Sequence, residues 1–188
     1  PVRAWQVLGE FPNTERMGWH YNPLGAEDMA WHWKRQPALP APPLPRRSAE
    51  LAWRLAESDG RGAVSLAGDG GGPAYFYLAT TLPDALRERL TLYVASDDEC
   101  AVWLDGELVH LFRGVRSCEP GFPDGAYADA RGGRGQILAL VVNHGGPSAF
   151  SLAVARGGLL YEGFEQRIAG TDVKERAAAV AYVASRRH

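Results

Sequence analysis

Short runs of apolar residues, several alternating with polar ones, recur along this chain between turn-forming sequences. In residues 89–95, Leu90, Leu92 and Val94 fall on every second position, and Thr91 lies between two of them. Because successive side chains of a strand point to opposite faces, this alternation predicts a strand whose leucine and valine face belongs to the core.

Other segments have a similar strand-like composition, and one of them, residues 137–142, is apolar on both faces. Asp105-Gly106 predicts a tight hairpin, because both residue types tolerate positive φ. Ser58-Asp59-Gly60 predicts a second hairpin, between residues 51–55 and 63–66. The complete set of further predicted strands is 4–8, 51–55, 63–66, 74–81, 101–104, 107–112, 137–142 and 150–154.

The spacing of these strands predicts an all-β fold, an antiparallel β-sandwich of two packed sheets, since no helix is interleaved with them. The 22 glycines and 13 prolines fall largely between the apolar runs, as turns require. Only residues 171–186 differ, because Thr171 can cap a helix and Val173, Ala177 and Val180 share one helical face. We therefore predict a sandwich domain over 1–160 and a C-terminal helical appendage over 161–188.

Residues 14–47 lack regular alternation, and their second part, a strap at 34–47, is rich in proline. This composition predicts an extended, polyproline-like conformation. Leu39 and Leu44 are apolar enough to dock, so we expect the strap to cross the surface of the sandwich.

Charge and length exclude some functions. With a net charge of −2 the chain has no sustained basic stripe, so nucleic acid is not an expected partner. No apolar run approaches the roughly 18 residues that span a bilayer, so no membrane span is expected. The sequence begins at Pro1 and not at Met, as in a processed or excised product, and we expect an extracytoplasmic location, either periplasmic or secreted.

Three motifs carry a resemblance to a known family: the opening Trp5–Asn13, the turn Ser96-Asp97-Asp98 and the hairpin Val102–Gly106. With the strands near 136–143 and 150–154, the chain resembles, over residues 1–156, the galactose-binding-domain-like (jelly-roll) accessory modules of exported multidomain bacterial proteins. The resemblance implies a jelly-roll sandwich that binds carbohydrate or serves as an interaction or spacer module. Gly132–Gln136 departs from the family, which commonly has Gly followed by Asn there, so the hydrogen bonding of that turn does not carry over.

An aromatic cluster is the first candidate binding site: Trp19, His20, Tyr21, Trp31 and Trp33. Exposed rings of this kind stack on sugars or anchor protein interfaces. Alternatively, the rings fasten the strap to the sandwich. No acidic or sulfur residue stands at metal-ligand spacing from the histidine, so no metal is predicted here.

Asp97 and Asp98 form the second candidate site, because carboxylate oxygens suit sugar hydroxyls and calcium. The alternative is structural, with Asp97 capping the turn by accepting backbone N–H bonds. No Asp-x-Asp-x-Asp-Gly loop is present, so no cofactor is predicted, with calcium left as a possibility.

The two cysteines, Cys100 and Cys118, are close enough in sequence to form a disulfide in an oxidising compartment. The alternative is a buried apolar Cys100 and an unpaired thiol at Cys118. No Cys-x-x-Cys pair predicts a zinc site.

Motifs of catalysis are lacking: the sequence contains neither a Gly-x-Ser-x-Gly elbow nor a His-Glu-x-x-His helix. A glycosidase carboxylate pair needs only spatial proximity and stays open. We therefore expect a non-catalytic interaction module that docks within a larger assembly or multidomain protein, with a protein partner or an adjoining domain. The alternative is a carbohydrate-binding module that recognises glycans through loop aromatics and carboxylates.

Overall fold

The computed structural model describes residues 1–13 and 53–156, which form ten strands. The predicted strap at 34–47 and the predicted helical appendage at 161–188 lie outside the described residues. Among the described residues, no helix has the length and apolar character needed to cross a membrane. The strands are β1 (Ala4–Pro12), β2 (Arg54–Glu57), β3 (Ala63–Ala67), β4 (Ala74–Thr81), β5 (Arg89–Ser96), β6 (Glu99–Leu104), β7 (Glu107–Phe112), β8 (Asp124–Asp129), β9 (Gln136–Asn143) and β10 (Ser148–Arg156).

The strands form two sheets, which confirms the predicted antiparallel β-sandwich. One sheet has six strands in the order β2-β1-β4-β9-β6-β7, and the other has four in the order β3-β10-β5-β8. Neighbouring strands in both sheets run antiparallel. Each of the nine predicted strands overlaps an observed strand, the one predicted at 51–55 only at Arg54 and Leu55, and β8 is the strand that the sequence did not predict.

The core between the sheets is built from alternate positions of the facing strands. Leu90, Leu92 and Val94 of β5 are buried in it, as predicted. The rings of Trp5 and Phe150 join the two sheets in an edge-to-face contact with centroids 5.5 Å apart. Burying these side chains is the main source of stability of such a fold.

The six-stranded sheet is also apolar on the face that points away from the four-stranded sheet. We call these side chains the outer cluster, and all are 3% exposed or less. The four-stranded sheet differs, since Ser65 and Tyr127 on its outer face are exposed. The outer cluster consists of Leu8, Tyr75, Tyr77, Ala79, Ala101, Trp103, Leu138, Leu140 and Val142.

The predicted hairpin between residues 51–55 and 63–66 is wrong. β2 pairs with β1 in the six-stranded sheet, whereas β3 pairs with β10 in the other. The chain does turn at Ser58-Asp59-Gly60, where the carboxylate of Asp59 accepts the backbone N–H groups of Arg61 and Ala63 at 2.8 and 2.9 Å. This turn moves the chain from one sheet to the other and does not pair the strands that it connects.

The hairpin at Asp105-Gly106 is confirmed, with φ of 50° and 85° at the two residues and β6 paired with β7. The Asp105 carboxylate has a further role, because it accepts the backbone N–H groups of Arg134, Gly135 and Gln136 at 3.0–3.1 Å. The aspartate of this hairpin therefore also holds the turn at 132–136 through three hydrogen bonds.

Candidate functional site

Four connections meet at one end of the sandwich, which we call the Asp97 end. The antiparallel pairing places the end of β5 beside the start of β10, and the start of β6 beside the end of β9. The tight turn at 97–98 therefore lies next to the turn at 144–147, and the loops 68–73 and 113–123 join strands at the same end.

Of the two aspartates in the turn at 97–98, Asp98 has the structural role. Its side chain is buried, and its two oxygens accept the backbone N–H groups of Arg116 at 3.1 Å and His144 at 2.9 Å. His144 is fixed a second time by a 2.8 Å contact between its Nε2 atom and Oε1 of Glu99. The capping role that we considered for Asp97 thus belongs to Asp98, which ties two neighbouring connections to the turn.

The side chain of Asp97, in contrast, does not hold the neighbouring loops. Its main chain is held, since its N–H donates to the carbonyl of Ala149 and its carbonyl accepts the Ser148 hydroxyl. Its carboxylate accepts no hydrogen bond from the described part of the chain. Burial, followed by the neighbouring charge of Asp98, raises the pKa of Asp97 to about 6. Asp97 therefore presents a partly desolvated acceptor with free lone pairs at the surface.

An open pocket of about 210 Å³ lies beside the 113–123 loop. Its lining combines a cation, a carboxylate and an aromatic ring, and the residues are Ala95, Arg116, Ser117, Glu119 and Phe122. The ring of Phe122 is 84% exposed and Val115 on the same loop is 78% exposed. Solvent-exposed apolar side chains at a polar pocket are typical of binding surfaces.

Arg116 fixes this loop to the sandwich. Its Nε atom donates to the carbonyl of Ser96 at 3.2 Å, and its Nη2 atom donates to the hydroxyl of the same residue at 3.1 Å. Its Nη1 atom donates to Asp124 at 2.8 Å, and the guanidinium lies 3.7 Å above the Phe112 ring. Arg116 is therefore a positioning residue, with most of its hydrogen-bonding capacity used inside the protein.

The partner of Arg116, Asp124, also faces a buried histidine. His110 Nε2 lies 3.3 Å from the same carboxylate oxygen, an electrostatic contact whose geometry leaves both ring nitrogens without a hydrogen bond. Burial alone would raise the pKa of Asp124, but His110 and Arg116 outweigh it, so the pKa lies below its usual value. Asp124 therefore stays ionised at neutral pH and holds Arg116 in place.

The two cysteines are free thiols in the structure, so the disulfide considered above is not formed. Cys100 is part of the core between the sheets, and Cys118 is partly buried on the 113–123 loop. Burial is the main cause that raises the pKa of Cys100 to about 11 and that of Cys118 to about 12. Both thiols are therefore protonated, and weak nucleophiles, at neutral pH.

The predicted aromatic site, made of Trp19, His20, Tyr21, Trp31 and Trp33, lies outside the described residues. The structure adds a pocket with Glu119 and Phe122, residues that the sequence did not single out, at the same end of the sandwich as Asp97. The one sequence signal for Phe122 is its place between Gly121 and Pro123 in a loop, where a large apolar residue has no strand to join. Within residues 1–13 and 53–156, no three His, Cys, Asp or Glu side chains are grouped so as to hold a metal ion.

Comparison with known proteins gives only distant structural similarity. No protein-family model and no curated protein sequence matches the chain. A PA14 sugar-binding domain from an RTX adhesin is 11% identical, with a TM-score of 0.40, over 52% of this chain and 72% of that one. A Faecalibacterium prausnitzii β-glucuronidase is 16% identical, with a TM-score of 0.38 and 76% of this chain covered. A Ruminococcus gnavus β-glucuronidase is 14% identical, with a TM-score of 0.36 and the same 76% covered. The chain spans 20% and 21% of the lengths of these two β-glucuronidases.

Proposed function

We propose that this β-sandwich is a non-catalytic carbohydrate-binding module whose ligand donates hydroxyl hydrogen bonds to Asp97. The observation that carries the proposal is the Asp97 carboxylate, which is partly buried, has a pKa raised to about 6 and accepts no hydrogen bond from the described residues. A polar group in such a position costs free energy until a donor reaches it. A pair of sugar hydroxyls supplies that donor and leaves the carboxylate ionised.

The pocket lined by Arg116, Glu119 and Phe122, which lies at the same end of the sandwich as Asp97, favours a sugar over a smaller polar ligand. The exposed ring of Phe122 offers an apolar surface on which the C–H face of a pyranose packs, and Glu119 adds a second acceptor. Arg116 and Asp98 hold the surrounding loops, so the site is largely formed before the ligand arrives. Pre-formed loops reduce the entropy lost on binding.

The same proposal includes a calcium ion that binds at Asp97 together with the sugar. Carboxylate oxygens are its preferred protein ligands, and it takes six to eight oxygens in all. Asp97 would supply the first of these, and the sugar hydroxyls would supply others. An extracytoplasmic setting, as part of a larger multidomain protein, is where we propose that such a module works.

Asp97→Asn is expected to weaken glycan binding by about 10- to 100-fold, because a hydrogen bond to a charged acceptor is worth about 1.5–3 kcal/mol. The measurement is a glycan array with the full chain, followed by calorimetric titration of the best-bound glycan with and without calcium. Asp84→Asn is the matched control, since Asp84 is an exposed aspartate at the opposite end of the sandwich. It should leave the affinity unchanged.

Docking to a protein partner is the second candidate function, and the exposed side chains of Val115 and Phe122 favour it. The same experiment separates the two functions. A folded chain that binds no glycan on the array contradicts the carbohydrate proposal. Docking then stands if a partner recovered from the native source is retained by the unaltered chain and lost by Phe122→Ser.

The raised pKa of Asp97 predicts an unusual pH dependence of stability. The folded state binds the proton more tightly than the unfolded state does, so ionised Asp97 destabilises the fold above about pH 6. Asp97→Asn should therefore raise the free energy of unfolding at pH 7.5 by up to about 1 kcal/mol, allowing for solvent screening.

The gain from Asp97→Asn should disappear near pH 4, where the unaltered carboxyl is protonated in the folded chain. Urea unfolding of both proteins at the two pH values measures the difference. A stabilisation of equal size at both pH values would show that ionisation of Asp97 is not its cause.

A further inference from the structure

The outer cluster is buried although no second sheet lies over it. Tyr75, Tyr77 and Trp103 are among its largest side chains, and each is 3% exposed or less. The four-stranded sheet packs on the opposite face of the six-stranded sheet, so it does not shield these residues. The outer cluster extends across the central strands β4, β9 and β6, so its burial requires a cover other than the four-stranded sheet.

The described residues supply only part of that cover. Phe11, Trp53 and Leu111 pack against the outer cluster and are themselves only partly buried. They come from β1, from the residue before β2 and from β7, which lie toward the two edges of the sheet. The described residues thus pack against the outer cluster only toward the edges of the sheet, whereas its centre lies on β4 and β9.

Two stretches of sequence remain, and described residues close to both ends of 14–52 pack against this face. Before the first end, Phe11 packs edge-to-face against Tyr77 of the outer cluster, with centroids 5.7 Å apart. At the other end, Trp53 packs against the same cluster. Residues 157–188 instead follow β10 of the four-stranded sheet, where Arg156 pairs with Glu88 at the end opposite Asp97.

The length of residues 14–52 also exceeds what the connection needs. β1 and β2 are antiparallel neighbours with Val7 opposite Arg54, so about six residues would link the end of β1 to the start of β2. The surplus is rich in large rings, including Trp19, Trp31 and Trp33. Such rings bury the most apolar area per residue and suit a face made of leucine, valine and aromatic side chains.

We propose that residues 14–52 form a third layer that packs over the outer cluster of the six-stranded sheet. The aromatic side chains of this segment then serve as the cover of a second core and not as a sugar platform. The layer leaves the Asp97 end as the binding surface of the module. It also makes residues 14–52 an integral part of the fold.

Photo-cross-linking of the full chain tests the proposal. Leu111→p-benzoylphenylalanine places the probe at the edge of the outer cluster farthest from β1 and β2, and Tyr127→p-benzoylphenylalanine is a control on the exposed face of the other sheet. After irradiation, mass spectrometry should map cross-links from position 111 to residues 14–52, and none to that segment from position 127.

Cross-links from position 111 to residues 157–188 or to a second copy of the chain would overturn the proposal, as would a folded variant with no cross-link. Hydroxyl-radical footprinting of the unaltered chain gives a second measurement that needs no substitution. Trp31 and Trp33 should be labelled at least several-fold more slowly, relative to their intrinsic reactivity, than the exposed Phe122. Equal normalised rates would also contradict a covering layer.

Discussion

Asp105→Ala is expected to lower the free energy of unfolding by about 3–5 kcal/mol, the largest effect that we expect of any single turn residue in the described fold. The substitution removes an acceptor shared by three backbone N–H groups, those of Arg134, Gly135 and Gln136. Hydrogen bonds to a charged acceptor contribute about 1.5–3 kcal/mol each, and water replaces part of that loss. Alanine also tolerates the positive φ of 50° at this position less well than aspartate.

Urea unfolding at neutral pH measures the loss of stability. Two further variants serve for comparison, one with an intermediate effect and one as a control. Asp105→Asn keeps one carbonyl acceptor and the tolerance of positive φ, so it should lose about half as much. Asp84→Ala removes an exposed charge and should change the stability by less than about 0.5 kcal/mol. If Asp105→Ala were as mild as Asp84→Ala, the carboxylate would not be what organises the 130–136 turn.

Arg116→Met should lower the free energy of unfolding by about 2–4 kcal/mol. Methionine keeps much of the apolar contact with Phe112 but loses the three donors to Ser96 and Asp124. The substitution leaves the partly buried carboxylate of Asp124 without its cationic partner. An unpaired buried charge accounts for most of the free energy lost when an ion pair is broken. Arg61→Met, which removes an exposed arginine, should have an effect below about 0.5 kcal/mol.

The cost of Arg116→Met should depend on pH in a defined direction. Asp124 has a lowered pKa in the folded chain, so its contribution is present above its unfolded pKa of about 3.9 and is lost as the pH falls through the lower folded value. The difference between the two proteins should therefore shrink in strong acid. A difference that does not change between pH 7 and pH 2 would mean that Arg116 acts through packing alone.

The strands were predictable because their signals are local. The alternation around Leu92 and the Asp105-Gly106 turn each lie within a few residues. Strand pairing is not local, and so the turn near Asp59 was wrongly taken as a hairpin. β8 was missed because its sequence, Asp-Gly-Ala-Tyr-Ala-Asp, has little β propensity and becomes a strand through its pairing with β5.

The candidate site was predictable only in part. The sequence drew attention to Asp97 and Asp98 together and considered a capping role for Asp97, whereas Asp98 is the residue that accepts the backbone N–H groups. The distinction depends on Arg116 and His144, which stand 18 and 46 positions from Asp98 in the chain. No local pattern shows which of two adjacent carboxylates will receive backbone donors from such distant loops.

The apolar character of residues 137–142 on both faces was visible in the sequence and anticipated the outer cluster. All eight residues of β9 are buried, because β9 lies between β4 and β6 in the middle of its sheet and contributes side chains both to the core and to the outer cluster. β5, which has one face in the core, alternates instead. A strand without alternation in a chain of alternating strands is therefore a signal of burial on both faces.

The central place of β9 also determines when this protein can fold during its synthesis. β4 and β6 have no direct pairing with each other and meet only through β9, and β3 and β5 meet only through β10. The ribosome makes both central strands after their partners, so the facing edges of β4 and β6 stay open until β9 is made, and those of β3 and β5 until β10 is made. Such late, long-range pairing slows folding and exposes aggregation-prone edges meanwhile. We expect nascent chains that stop before β9 to depend on chaperones, and folding to begin only after β10 has left the ribosome.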